Sequence, residues 1–166
     1  TTRYCKCHFF NGESDHWGVL DRTTFAQKGA KAHFAPDTPI LPKHLLLELN
    51  FDWEEEKVWG STTYELQVSA NGVQEIKMDA ANLEIDQVRI GGKRVSFENT
   101  GEKVIIFLPK PLKAGAAIKV KLNHSVSKPA AGIYFTKPDK EYPDRFKTVW
   151  TQGQDEDSKY YFPCFD

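Results

Sequence analysis

Residues 58–69 read Val58-Trp59-Gly60-Ser61-Thr62-Thr63-Tyr64-Glu65-Leu66-Gln67-Val68-Ser69. Trp59, Ser61, Thr63, Glu65 and Gln67 fall on one side of that alternation. Val58, Thr62, Tyr64, Leu66 and Val68 fall mostly on the other. Successive side chains of a strand point to opposite faces, so this period of two predicts a long strand buried on one side. Gly60 interrupts the pattern and is read as the site of a bulge.

The neighbouring sequence repeats the theme. Residues 45–51 alternate with an apolar face, and Glu54-Glu55-Glu56-Lys57 makes a polar turn before the decisive strand. Further strands are expected at 75–79, 83–90, 94–98, 103–108 and 117–123. Asn71-Gly72 and Gly91-Gly92 are read as two-residue hairpin turns, because such turns need positive φ. Gly132-Ile133-Tyr134-Phe135 is a short strand, 137–145 a charged loop with a proline, and 148–154 another extended segment. Many short strands at intervals of about ten residues predict an all-β, antiparallel sandwich or saddle-like domain, with a barrel as the variant. Residues 1–40 lack periodicity. Asn11-Gly12, Lys28-Gly29, Pro36 and Pro39 break them into an irregular arm, with 23–28 at most one helical turn. The division is therefore an arm at 1–40 and a β-domain at 41–166.

Composition narrows the functional classes. The chain has 166 residues, enough for one domain with a real core. Lys plus Arg number 22 against 23 for Asp plus Glu, so no basic footprint for nucleic acid or an anionic membrane exists. No apolar run reaches the ~20 residues of a membrane span, and the polar, aromatic start does not resemble a signal peptide. Cys5, Cys7 and Cys164 are an odd, sparse set, unlike a secreted disulfide framework, and a cytoplasmic setting is expected. Cys5-Lys6-Cys7-His8 invites a zinc site, and His16 and Cys164 could complete it. Structural zinc usually takes two paired motifs and no second pair exists, so unpaired thiols and no metal are expected.

The residues offer no catalytic apparatus. There is no Gly-x-Ser-x-Gly elbow, no H-E-x-x-H helix and no phosphate-binding glycine loop. His8, His16, His33, His44 and His124 are scattered and read as surface or hydrogen-bonded residues. Asp155-Glu156-Asp157 is read as a solvated acidic turn. The chain closes on Tyr160-Tyr161-Phe162-Pro163-Cys164-Phe165-Asp166. Such an apolar ending is expected of a truncated domain or an interface, with Tyr160, Tyr161, Phe162 and Phe165 awaiting a cover. Trp53, Trp59 and Trp150 are expected in the core or between domains.

Thr151-Gln152-Gly153-Gln154, followed by Phe162-Pro163-Cys164-Phe165-Asp166, resembles the end of the amino-terminal β-domain in zinc aminopeptidases of the aminopeptidase N type. Gly132-Ile133-Tyr134 is similar to the Gly-[LIF]-Tyr strand ahead of it, and residues 45–67 are similar to the family's first strands. The resemblance covers about residues 40–166. It implies the amino-terminal accessory domain of an enzyme that removes amino-terminal residues from peptides with zinc-activated water. The zinc and the catalytic residues would sit in the domain that follows, so none is expected in this chain, which alone would be inactive. The implied partners are that catalytic domain and the amino terminus of a peptide substrate. Gln152 resembles the residue lining the pocket for the first side chain. Gln154 stands where most members have Glu and the leukotriene hydrolase branch has Gln, at the residue that binds the α-amine.

Strand geometry agrees, since residues two apart project from one face and each carboxamide offers an acceptor and two donors. Without the resemblance, Gln152 and Gln154 read as polar residues on a solvent-facing side. Two other readings stand beside the enzyme: a non-catalytic scaffold that keeps this β-domain in a protein assembly, and a free-standing β-sandwich binding module.

Overall fold

The computed structural model describes residues 38–165. The readings placed on Cys5, Cys7, His8, His16, His33, the 23–28 turn and Asp166 lie outside them. Among the described residues there are ten strands: β1 (Ile40–Asp52), β2 (Lys57–Val68), β3 (Val73–Asp79), β4 (Glu84–Ile90), β5 (Lys93–Arg94), β6 (Phe97–Asn99), β7 (Lys103–Leu112), β8 (Ala117–Ser127), β9 (Ile133–Thr136) and β10 (Thr148–Thr151). They form a five-stranded sheet in the order β1-β2-β8-β4-β5, a three-stranded sheet β3-β7-β6 and a ribbon β10-β9. Every pairing is antiparallel, and the sheets stay open rather than closing into a barrel.

Strand β2 is the spine. It pairs with β1 from Ile40↔Val68 to Asp52↔Lys57 and with β8 from Lys57↔Ser127 to Gln67↔Ala117. The alternation read in its sequence sets its faces: Val58, Thr62, Tyr64, Leu66 and Val68 are buried, while Trp59 and Glu65 are exposed. Ser61 and Thr63, on the polar side, are buried as well. A strand flanked on both edges is shaded by its neighbours' long side chains. Glu48 of β1 accepts a hydrogen bond from Ser61 Oγ at 3.0 Å and is reached by Lys121 Nζ of β8 at 3.5 Å.

The inner face meets Ile76 and Met78 of β3 and Val104 and Ile106 of β7 in one cluster, joined by Val88, Val120, Leu122 and Val126. This is the packing of two apolar sheet faces on each other.

Two turn readings fare differently. Gly91 (φ 55°) and Gly92 (φ 82°) join β4 to β5 with Ile90↔Lys93 as the closing pair, the expected two-residue hairpin. Asn71-Gly72 is not a hairpin. Both edges of β2 are taken by β1 and β8, so β3 cannot fold back on it, and it pairs with β7 in the second sheet instead. There Gly72 N–H donates to the carbonyl of Leu112 and the Asn71 side chain accepts from Ala114 N–H.

Gly60 is not a bulge either. It stays in register opposite both Leu49 and His124, and the irregularity of β1 falls between Pro42 and His44, where proline has no N–H to donate. What Gly60 provides is close approach: a Cβ there would lie 1.9 Å from the carbonyl oxygen of Glu48.

His124 is a buried polar member of the core beside Thr62, 1% exposed on the inner face of β8. Its Nε2 lies 2.8 Å from Thr62 Oγ1, and its buried Nδ1 has no hydrogen-bond partner among the described residues. Burial pushes the imidazole from its ordinary 6.5 down to about 4, because the charged form would lose its hydration.

Two outcomes follow from this packing. Gly60→Ala should cost about 2–3 kcal/mol in urea unfolding, because β1 must shift to admit the methyl group; an unchanged midpoint would contradict the close approach. The second concerns pH. Between 6.5 and about 4 the unfolded chain takes up a proton on His124 that the folded chain refuses. The stabilisation is full above 6.5 and is lost as pH falls toward 4, amounting to about 3 kcal/mol. His124→Gln should remove that part of the pH dependence in unfolding curves collected from pH 7 to 4.

Candidate functional site

The ribbon β9–β10 carries the residues singled out by the sequence. Its register sets Thr148 against Thr136, Val149 against Phe135, Trp150 against Tyr134 and Thr151 against Ile133. Ile133, Phe135 and Val149 pack on the core, so the alternate residues face outward. Tyr134 and Trp150 stack across the strands, with centroids 4.3 Å apart and planes at 22°. The Thr136 and Thr148 hydroxyls hydrogen-bond beside them.

Contacts with the β1–β2 turn hold the ribbon in place. Phe51 meets Phe135 edge-on at 6.4 Å. Lys137 reaches Glu56 at 3.5 Å, and Lys147 Nζ lies 2.5 Å from Glu54 Oε1. The hydrogen bond and charge of Lys147 hold the Glu54 carboxyl below its ordinary range.

Strand β10 ends at Thr151, three residues short of the extended segment read from the sequence. Gln152 continues the ladder by one bond, its N–H donating to the Gly132 carbonyl at 2.9 Å. Pairing stops there because Gly132, at φ 79°, turns its strand away. Gln154 begins a turn that leads into a 3-10 helix, Asp157–Tyr160, with Asp157 N–H donating to the Gly153 carbonyl at 3.3 Å. The simple picture of two glutamines on one strand is therefore corrected: Gln152 lies in ladder register with Trp150, and Gln154 is set by the turn. Both are exposed.

The aromatic run behind them departs furthest from expectation. Tyr161 and Phe162 are buried within this domain rather than left for a partner to cover, beside Pro163 and Cys164, the latter buried as a small apolar group is expected to be. Cys164 and Asp79 exchange backbone hydrogen bonds at 2.8 and 3.0 Å. Tyr64 OH donates to the Pro163 carbonyl at 3.1 Å, and Phe165 meets the Tyr64 ring edge-on at 5.3 Å. Ala81 N–H donates to the Lys159 carbonyl at 2.9 Å. The tail thus plugs one end of the core and anchors the glutamine turn from its far side. The acidic turn is exposed at Asp155 and Glu156, and Glu156 pairs with Lys159 at 2.8 Å.

Of the two places expected for the tryptophans, core or between domains, the core is excluded for two of them. Trp59 is 41% and Trp150 50% exposed, so neither is core, and Trp53 is partly buried against Phe51. The outward placement of Trp150 was available from its spacing of two from Gln152; its stacking on Tyr134 was not.

This arrangement defines the molecule as a two-sheet, antiparallel β-domain with an exposed amide pair at the end of an anchored ribbon. The peptidase M1 N-terminal domain model matches residues 41–166. The chain belongs to that family. Leucine aminopeptidase 2 of Yarrowia lipolytica is 25% identical over 130 residues, covering 75% of this chain and 20% of that protein. A probable aminopeptidase 1 of Sulfurisphaera tokodaii is 25% identical over 120 residues, covering 72% of this chain and 14% of its own length. The chain thus spans about a fifth or less of the curated relatives it matches. Among solved structures, yeast LTA4 hydrolase in complex with bestatin aligns with TM-score 0.64 and 19% identity, over 77% of this chain and 21% of that one. A two-domain M1 zinc metallopeptidase mutant bound to L-tryptophan aligns with TM-score 0.63 and 19% identity, over 78% and 30%. These likenesses establish a shared fold.

Gly132 is the lynchpin of the turn. A Cβ there would lie 2.1 Å from the Asp157 carbonyl oxygen, in a left-handed conformation that alanine resists. Gly132→Ala should destabilise the domain by about 2 kcal/mol or more and speed hydrogen exchange at the Gln152 N–H. Unaltered exchange at Gln152 would show that Gly132 does not hold the turn.

Proposed function

We propose that this chain is the amino-terminal, substrate-binding domain of a cytoplasmic zinc aminopeptidase, and that it does not cleave peptides alone. The observation behind this reading is the exposed pair Gln152 and Gln154, standing clear at the ribbon end of a peptidase M1 N-terminal domain. In the parent enzyme Gln154 accepts a hydrogen bond from the peptide's α-ammonium, and Gln152 lies along the first side chain. The ladder bond at Gln152 and the turn closed by Gly153 and Asp157 hold the backbone that carries both side chains, so less is lost in ordering that segment on binding.

A carboxylate at position 154 would add charge complementarity. The neutral carboxamide instead supplies a hydrogen bond to a charged partner, worth about 1.5–3 kcal/mol at most. The rest of the amine's recognition then falls to a carboxylate of the catalytic domain. Zinc would supply the activated water there. Among the described residues no three His, Cys, Asp or Glu side chains converge on a possible metal position, so these residues do not fit the metal. This chain's part is to bind and orient.

The described residues contain no helix long and apolar enough to cross a membrane. Lys and Arg balance Asp and Glu, so the chain carries no basic excess of the kind that draws nucleic acid or an anionic membrane surface.

In the full-length protein, Gln154→Ala should raise KM and lower kcat/KM for peptides about tenfold. An unchanged kcat/KM would remove Gln154 from the site. The isolated chain should bind no stoichiometric zinc and release no product from aminoacyl amides; chelator-sensitive turnover by pure material would overturn its non-catalytic role.

A further inference from the structure

Trp150 presents an indole face that the fold goes to some length to hold still. The opposite strand places Tyr134 flat against it at 4.3 Å, the Thr136–Thr148 hydroxyl bond closes the next rung, and the inward neighbours Val149 and Phe135 are tied into the core. Yet Trp150 remains half exposed. Burial does not account for a large aromatic group braced in this way and left open.

Its position relative to Gln152 is informative. The two residues are two apart, and the Gln152 N–H still holds ladder register, so both side chains rise from the outer face of the ribbon. Two residues of strand span roughly 7 Å, about the reach of a long, extended side chain. Trp150 therefore stands where the far end of a first side chain passing along Gln152 would arrive. An open π-face attracts cations and flat groups, and guanidinium is both.

We propose that Trp150 is a specificity-determining residue, a platform braced by Tyr134 that receives the end of a long, flat or cationic first side chain, arginine above all. The assignment rests on the binding role of Gln152 and Gln154 given above. A small first side chain stops short of the indole and gains nothing from it. Tyr134 is a positioning residue, acting through the orientation of Trp150.

The test compares kcat/KM of the full-length protein for arginyl, phenylalanyl and alanyl amide substrates. Trp150→Ala should lower the arginyl and phenylalanyl values about five- to tenfold and leave the alanyl value within about twofold. Trp150→Phe should restore much of the loss, and Tyr134→Ala should give a weaker copy of the Trp150→Ala pattern. An equal fall for all three substrates with a lowered Tm would mean that the rest of the protein covers this face, overturning the platform. Indifference of all three substrates to Trp150→Ala, alongside a loss on Gln154→Ala, would overturn the platform and leave the amine-binding role standing. Absence of hydrolysis of every substrate by the unaltered protein would overturn both.

Discussion

Strand β2 is hydrogen-bonded along both edges, and that constraint organises everything after it. A strand has two edges and no more. Once β1 and β8 occupy them, the chain leaving Val68 has no place beside β2; β3 joins β7 in a second layer, and β4 returns to the first sheet only beside β8. The second layer brings Ile76, Met78, Val104 and Ile106 over the inner face of β2 and β8, where their burial supplies the main favourable term of folding. His124 and Thr62 sit within this contact, a polar pair retained in an otherwise apolar layer.

The functional end of the domain depends on the same contact at one remove. The ribbon β9–β10 is too small to stand alone, since an isolated two-stranded ribbon is marginal in water. It is held through Phe135 and Val149 on the core, through Lys137 and Lys147 on the β1–β2 turn, and through the tail that bridges Cys164 to Asp79. Rigidity reaches Gln152 and Gln154 from both sides, by the ladder before them and the anchored 3-10 helix after them. The backbone beneath both side chains is thereby fixed, which sets where each carboxamide can reach.

Legibility varied with the range of the physics involved. The faces of β2, the polar β1–β2 turn and the Gly91-Gly92 hairpin are local, and each was readable from spacing alone. In the turn, Asp52 Oδ1 accepts from the N–H groups of Glu54 and Glu55, as a polar turn would have it. Gly60 showed that a glycine inside a strand is ambiguous: bulge and close approach leave the same mark in sequence. The aromatic tail misled because an apolar run states only that it must be covered. Whether Tyr161 and Phe162 meet their own domain or another is set by where the chain has been led.

The opening alternation at residues 58–69 by itself determined a strand with Val58, Thr62, Tyr64, Leu66 and Val68 buried, because side-chain direction on a strand follows from backbone geometry. The order of the glutamine and Phe-Pro-Cys blocks likewise marked the family. Only the tertiary structure decided that Asn71-Gly72 crosses between sheets, that β10 stops at Thr151, and that Trp150 stands open on Tyr134 beside Gln152. Those outcomes depend on which strand edges are already taken and which surfaces are already covered, and such occupancy exists only once distant segments have met.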